Sequence, residues 1–161
     1  MSSIGYIESG YDMTDSDTAD RLMDKRARMM PALAMMFAAQ QVIYFTGSRL
    51  DEGKLRLVNY VSIGGWMVLS IVLLFGLVTG GSLFRGGRVR ALMNDENTQA
   101  NRAQAFQLGF LCTMGGAILL YIVSLFEPVD GREAIHILMT VGIATALLRF
   151  GLLERRALRA A

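Results

Sequence analysis

The chain holds one cysteine, one histidine and two prolines among its 161 residues. Cys112 has no second thiol to pair with, so an intramolecular disulfide is excluded, and its place in a long apolar run reads as a small packing residue. A lone His136 excludes haem held by paired histidines within one chain. The first 20 residues carry Glu8, Asp12, Asp15, Asp17 and Asp20 but neither Lys nor Arg. A secretory signal needs a basic start before a short apolar core, so none is expected. No lipid-attachment motif stands at either end. There is no glycine-rich phosphate loop, no nucleophile–base pattern and no metal-ligand cluster. The basic residues flank apolar runs instead of building a nucleic-acid surface. These absences predict a protein that is not an enzyme, holds no cofactor or metal, and does not bind nucleic acid.

Charge is also scarce and is segregated. Charged residues make up 19% and hydrophobic residues 53%, against about 25% and roughly 45–50% in soluble domains. Four windows have no charge: 29–48, 57–84, 103–126 and 134–148. A helix needs about 20 mostly apolar residues to cross ~30 Å of hydrocarbon. The second and third windows exceed that length, and the first reaches it. The fourth reaches it if Arg149 extends its side chain to a membrane surface. A soluble fold of this length has too little polar surface to cover four such stretches. The fold class predicted is therefore an all-α polytopic membrane protein, a bundle of four transmembrane helices.

The domain reading is a flexible acidic tail over 1–16, an amphipathic interfacial helix over 17–30 and a transmembrane domain over 31–161. Its spans are placed at 31–46, 57–79, 104–126 and 134–153. Leu22, Met23, Met29 and Met30 are the apolar positions of the interfacial helix, and Arg21, Lys25, Arg26 and Arg28 its basic ones. Pro31 suits the first turn of the following span, where no amide donor is lost. Asn94, Asp95 and Glu96 offer a cap and acids for a helix start, and Pro128 with Gly131 marks a turn.

Orientation follows from Lys and Arg. Twelve of the sixteen lie near the tail, in the loop around 85–102 and at the C-terminal end; Arg49, Lys54, Arg56 and Arg132 lie in the other two loops. Basic residues stay on the cytoplasmic side. Both termini are thus expected in the cytoplasm, with the lipid bilayer as the first partner.

Candidate sites are few. Small residues recur on the third span at Ala105, Gly109, Thr113 and Ala117, with Cys112 and Gly116 widening that face, on the second at Gly76 and Gly80, and on the fourth at Gly142 and Ala146. They predict close helix packing, within one chain or between copies. Gln40 and Gln41 are the polar side chains expected inside the membrane, facing a helix, a cleft or the interface. Asn94, Asp95, Glu96, Asn101 and Arg102 form the densest polar cluster, suited to docking either the N-terminal helix or a partner. Glu133 and His136 make an E-x-x-H step, but a single step does not build a di-metal site. His136 is expected to face the membrane interface.

The stretch Leu92 to Phe110 (LMNDENTQANRAQAFQLGF) and the segments GREAIHILMTVG and LLRFGLLERR between Gly131 and Arg156 resemble parts of small bacterial four-helix inner-membrane proteins, over about a quarter of the chain. That resemblance implies a location in the bacterial inner membrane and no chemistry. Small multidrug exporters have similar size and span number but carry a membrane-embedded Glu in the first span, where this chain has Gln40 and Gln41. The function expected is that of a non-catalytic interaction or accessory protein, in a larger membrane complex or a homo-oligomer. The alternative is an oligomeric transporter or channel for a small solute.

Overall fold

A computed structural model describes residues 5–48, 57–80 and 95–160. Among these residues there are four helices and no strand: α1 (Gly5–Ser48), α2 (Leu57–Thr79), α3 (Glu96–Ser124) and α4 (Gly131–Ala160). Two of them, α3 and α4, are long and apolar enough to cross a membrane, and the apolar part of α2, Ile63–Thr79, is shorter.

Buried residues recur at steps of three and four. In α4 they are His136, Thr140, Ile143, Leu147, Phe150 and Glu154; in α2 they are Trp66, Ser70, Leu73 and Leu77. In α1 the stripe runs through Arg26, Met30, Ala34, Phe37 and Gln41, and in α3 it includes Thr98, Ala105 and Gly109. This period keeps one face of each helix turned to its neighbours, as in left-handed bundles. Helix α4 lies at the centre, with α1 and α3 packed along it and α2 touching it more lightly. Arg26 of α1, Gly80 just past α2, Thr98 at the start of α3 and Glu154 near the end of α4 meet at one end. The helices therefore alternate in direction: α2 and α4 arrive at this level, α3 leaves it, and α1 passes through it near its midpoint and runs on alongside α4 beyond Arg26.

The expected tail, surface helix and first span are one continuous helix. Helix α1 runs from Gly5 to Ser48, and Pro31 lies inside it instead of in a first turn; residues 1–4 are outside the described residues. The neighbouring helix explains how the proline is tolerated. Lacking an N–H, Pro31 leaves the carbonyl of Ala27 without its helical donor. Nε of Arg155 on α4 donates to that carbonyl at 3.1 Å, and its Nη2 donates to the Arg28 carbonyl at 3.4 Å. One turn earlier, Gly151 makes room for the ring: a Cβ there would stand 2.5 Å from Pro31 Cδ and 3.0 Å from Met30 Cβ.

The α3–α4 crossing depends on small residues in the same way. A Cβ on Gly109 would lie 2.9 Å from the Gly142 carbonyl oxygen and 3.0 Å from Ala146 Cβ. The Thr113 hydroxyl sits over Gly142 and donates to the Gly109 carbonyl at 2.9 Å. Close backbone approach of this kind gains dispersion contact that larger side chains would prevent. Gly116 meets the flexible end of Leu138 at 3.3 Å.

Candidate functional site

The densest polar arrangement among the described residues is at the end where all four helices meet. Arg26 is on the buried stripe of α1, while Arg28, two residues on, faces outward and pairs with Asp24. The Arg26 guanidinium forms an ion pair with Glu154 of α4, and the two side chains are 6% and 5% exposed. Its Nη1 donates to the Gly80 carbonyl at 3.0 Å, and its Nη2 also donates to Thr98 Oγ1 at 3.3 Å. The guanidinium carbon lies 5.4 Å from the centroid of the Phe150 ring, within cation–π range. One side chain thus reaches every helix. The planar fork of arginine suits this task, because it presents several donors in fixed directions.

The end of α2 shows why arginine is needed there. A helix terminus leaves carbonyls without intrahelical donors and carries partial negative charge. Gly80 ends α2 with φ +62, a left-handed conformation suited to glycine. Arg26 takes the Gly80 carbonyl, and Arg102 Nη1 of α3 takes that of Val78 at 2.7 Å. Two arginines from neighbouring helices therefore cap one helix end.

The polar cluster read from the sequence is largely engaged within the chain. Asp95 is the N-cap of α3, its carboxylate accepting from the Thr98 amide at 2.7 Å. Asn101 donates to Glu154 at 3.2 Å, so Glu154 accepts from α1 and α3 together. Glu96 is exposed in the first turn of α3, and Asn94 is outside the described residues. The spacing that groups Gly76 with Gly80 does not bring them to one contact. A Cβ on Gly76 would meet nothing within 4 Å, whereas Gly80 serves as a terminator and an acceptor.

A second polar group lies nearer the opposite end. Gln40 is exposed on α1, beside Phe37 and Leu69, in a cleft of about 340 Å³ between α1 and α2. Gln41 is only 6% exposed, and neither its Nε2 nor its Oε1 has a hydrogen-bond partner. His136 does not face the membrane interface as its position at the start of the fourth apolar run implies. It is 4% exposed and stacks on Trp66, with ring centroids 3.8 Å apart and planes 17° from parallel. The cause is register: His136 opens the 136–140–143–147 stripe of α4, and that stripe faces the bundle. Glu127, Asp130 and Glu133 nearby remain exposed. Among the described residues no three of His, Cys, Asp and Glu gather as a metal site.

Arg26, Glu154, Arg155 and the Trp66–His136 stack escape a reading by composition. A local signal does exist for the first two. Each is a charge on the apolar three–four stripe of its helix, where the outward charges Arg21, Lys25 and Arg28 are not. No such signal marks Arg155, because its partner is a backbone carbonyl released by a proline on another helix.

The structure defines an all-helical bundle with two helices fit to cross a membrane, joined at one end by a buried arginine–glutamate cluster. No protein-family model, curated protein or solved structure matches the chain.

Proposed function

We propose that this chain is a four-span protein of the bacterial inner membrane, with both termini cytoplasmic, and that it acts without catalysis as an interaction or accessory subunit. Its company is a larger membrane complex or further copies of itself. The observation that carries this reading is the open apolar face of α3. That helix packs closely on α4 alone, and Phe110, Leu111, Ile118, Leu119, Tyr121 and Ile122 point away from the chain. In water such a face is a liability; in a bilayer it meets lipid tails or another helix. Val68, Ile71, Val72 and Phe75 on α2 give that helix a similar outer face. The arginine cluster suits the cytoplasmic side, where basic residues are retained. Its polar groups hold the bundle together and leave recognition to the outer faces.

Topology is tested with reporters fused after Ala161 and within residues 86–93. Both should read cytoplasmic, and a periplasmic signal at either overturns the four-span arrangement. Purification from native membranes in mild detergent tests the role: a stoichiometric partner or a defined homo-oligomer is expected, and a lone monomer argues against it. The second reading, an oligomeric path for a small solute, draws on the buried Gln41. Solute flux that is lost in Gln40→Leu/Gln41→Leu, with no partner found, would reverse the order.

A further inference from the structure

Helices α2 and α3 both pack on α4 but, among the described residues, scarcely on each other. The gap between them is a cleft of about 370 Å³, with Leu74 of α2 on one side and Phe106 and Phe110 of α3 on the other. Met139 and Ile143 of α4 form its floor. Along α4 the cleft runs from Ile135 to Ala146, eleven residues apart. At roughly 1.5 Å per residue that is about 16 Å, one leaflet's share of the ~30 Å hydrocarbon core. Among the described residues Thr113 is the only polar side chain lining it, and its hydroxyl donates to the Gly109 carbonyl. A polar guest therefore finds no donor along this length, whereas an alkyl chain needs none.

The end of the cleft toward Glu154 carries positive charge. Arg102 is one turn before Phe106 on α3, and Val78 is one turn after Leu74 on α2. Arg102 Nη1 donates to the Val78 carbonyl at 2.7 Å, and that bond lies at the surface. The guanidinium thus spans the gap, one turn beyond the lining residues of both helices. Nη1 of Arg102 and Nη1 of Arg26 stand 3.5 and 3.6 Å from where a Cβ on Gly80 would be, so a second, buried guanidinium is close by. Glu154 balances Arg26 and also accepts from Asn101. Asp95, two turns before Arg102, caps its own helix.

We propose that this cleft holds one acyl chain of an anionic phospholipid from the cytoplasmic leaflet, with Arg102 pairing its phosphate. The proposal rests on the membrane reading above, which puts the arginine end at the cytoplasmic surface. The chain lies along α4 with its tip toward Ile135, and the headgroup sits where Arg102 bridges α3 and α2. Arginine suits a phosphate because its planar fork matches two oxygens. A headgroup of net negative charge is favoured over a zwitterionic one, whose ammonium would stand beside a guanidinium. The alkyl chain supplies the dispersion contact that α2 and α3 do not make with each other.

Full-length protein, delipidated in neutral detergent, is titrated with dioleoyl phosphatidylglycerol and with dioleoyl phosphatidylcholine, and bound lipid is counted by native mass spectrometry. The first site should take phosphatidylglycerol about fivefold more tightly. Arg102→Gln should abolish that preference and Arg102→Lys should keep most of it. Arg156→Gln, which removes an exposed arginine at the same end, should leave it unchanged. Leu74→Trp, filling the cleft from α2, should weaken binding of both lipids. Dihexanoyl phosphatidylglycerol, with the same headgroup on short chains, should bind at least about tenfold more weakly. Equal affinity for the two headgroups, an unaltered preference in Arg102→Gln, undiminished binding in Leu74→Trp or equal binding of the short-chain lipid each overturns the proposal. If a variant does not fold, the wild-type comparison of the three lipids decides. An alkaline wash of native membranes tests the premise separately. A chain released by the wash overturns the membrane reading and this proposal with it; a chain that stays in the membrane but shows no headgroup preference overturns the lipid site alone.

Discussion

Removing the Glu154 carboxylate tests the arginine cluster most directly. In Glu154→Ala the Arg26 guanidinium keeps its places on the Gly80 carbonyl and Thr98 but loses its counter-charge, and Asn101 loses its acceptor. Both charged side chains are almost fully buried, at 6% and 5% exposure. Breaking such a pair by deleting one member typically costs about 3–5 kcal/mol, because the surviving charge stays buried without compensation. That corresponds to roughly a hundredfold to several-thousandfold shift in the unfolding equilibrium. The double variant Arg26→Met/Glu154→Leu removes both charges and keeps most of the volume, so it should recover the greater part of the loss. Asp24→Ala serves as the control. It breaks an exposed i,i+4 pair with Arg28, worth about 0.3–0.5 kcal/mol. Reversible unfolding of purified protein in mixed micelles, followed by helical circular dichroism, measures all three. A loss below about 1 kcal/mol in Glu154→Ala, matching an exposed pair, would refute the claim that this contact joins the four helices.

Arg155→Met should destabilise by about 1–3 kcal/mol by leaving the Ala27 carbonyl without a donor, and that loss should shrink in a Pro31→Ala background, where the helix supplies its own; equal losses in both backgrounds would show that the proline and the arginine are not coupled. Gly109→Leu should disrupt the α3–α4 crossing and lower the detergent melting temperature, whereas Leu119→Ala on the exposed face should be mild; unchanged melting in Gly109→Leu would exclude packing through that face. Gly80→Ala should cost about 1–2 kcal/mol from its positive φ alone, while Gly76→Ala, with open space at its Cβ, should be neutral or slightly stabilising by the same measurement.

The helical class and much of the helix layout were legible in the linear order of residues. Charge-free runs, a capping segment at residues 94–96 and a turn at Pro128 are local features, and local hydrogen bonding realises them. Helix α2 runs from Leu57 to Thr79, inside the second charge-free window, and α3 starts where Asn94, Asp95 and Glu96 offered a cap, with Asp95 taking that role. The small residues Gly109, Thr113 and Gly142 were also visible as a pattern, because a stripe of missing side chains on one helix is itself a local property. Pro31 was misread as a boundary for a matching reason. Whether a proline ends a helix depends on what becomes of the carbonyl it orphans, and here a distant arginine and a distant glycine decide that. The same holds for Arg26 and Glu154, 128 residues apart. A lone charge on an apolar stripe is a conflict that sequence alone registers, and only the meeting of four helices resolves it. His136 and Gln41 went inward because the rotation of a whole helix is set by its summed seam, not by the polarity of one residue. Sequence thus determined where the chain is helical, through interactions that reach three or four residues. Tertiary structure decided which face of each helix turns inward, and so which polar groups became partners, through contacts whose closure depends on every helix at once.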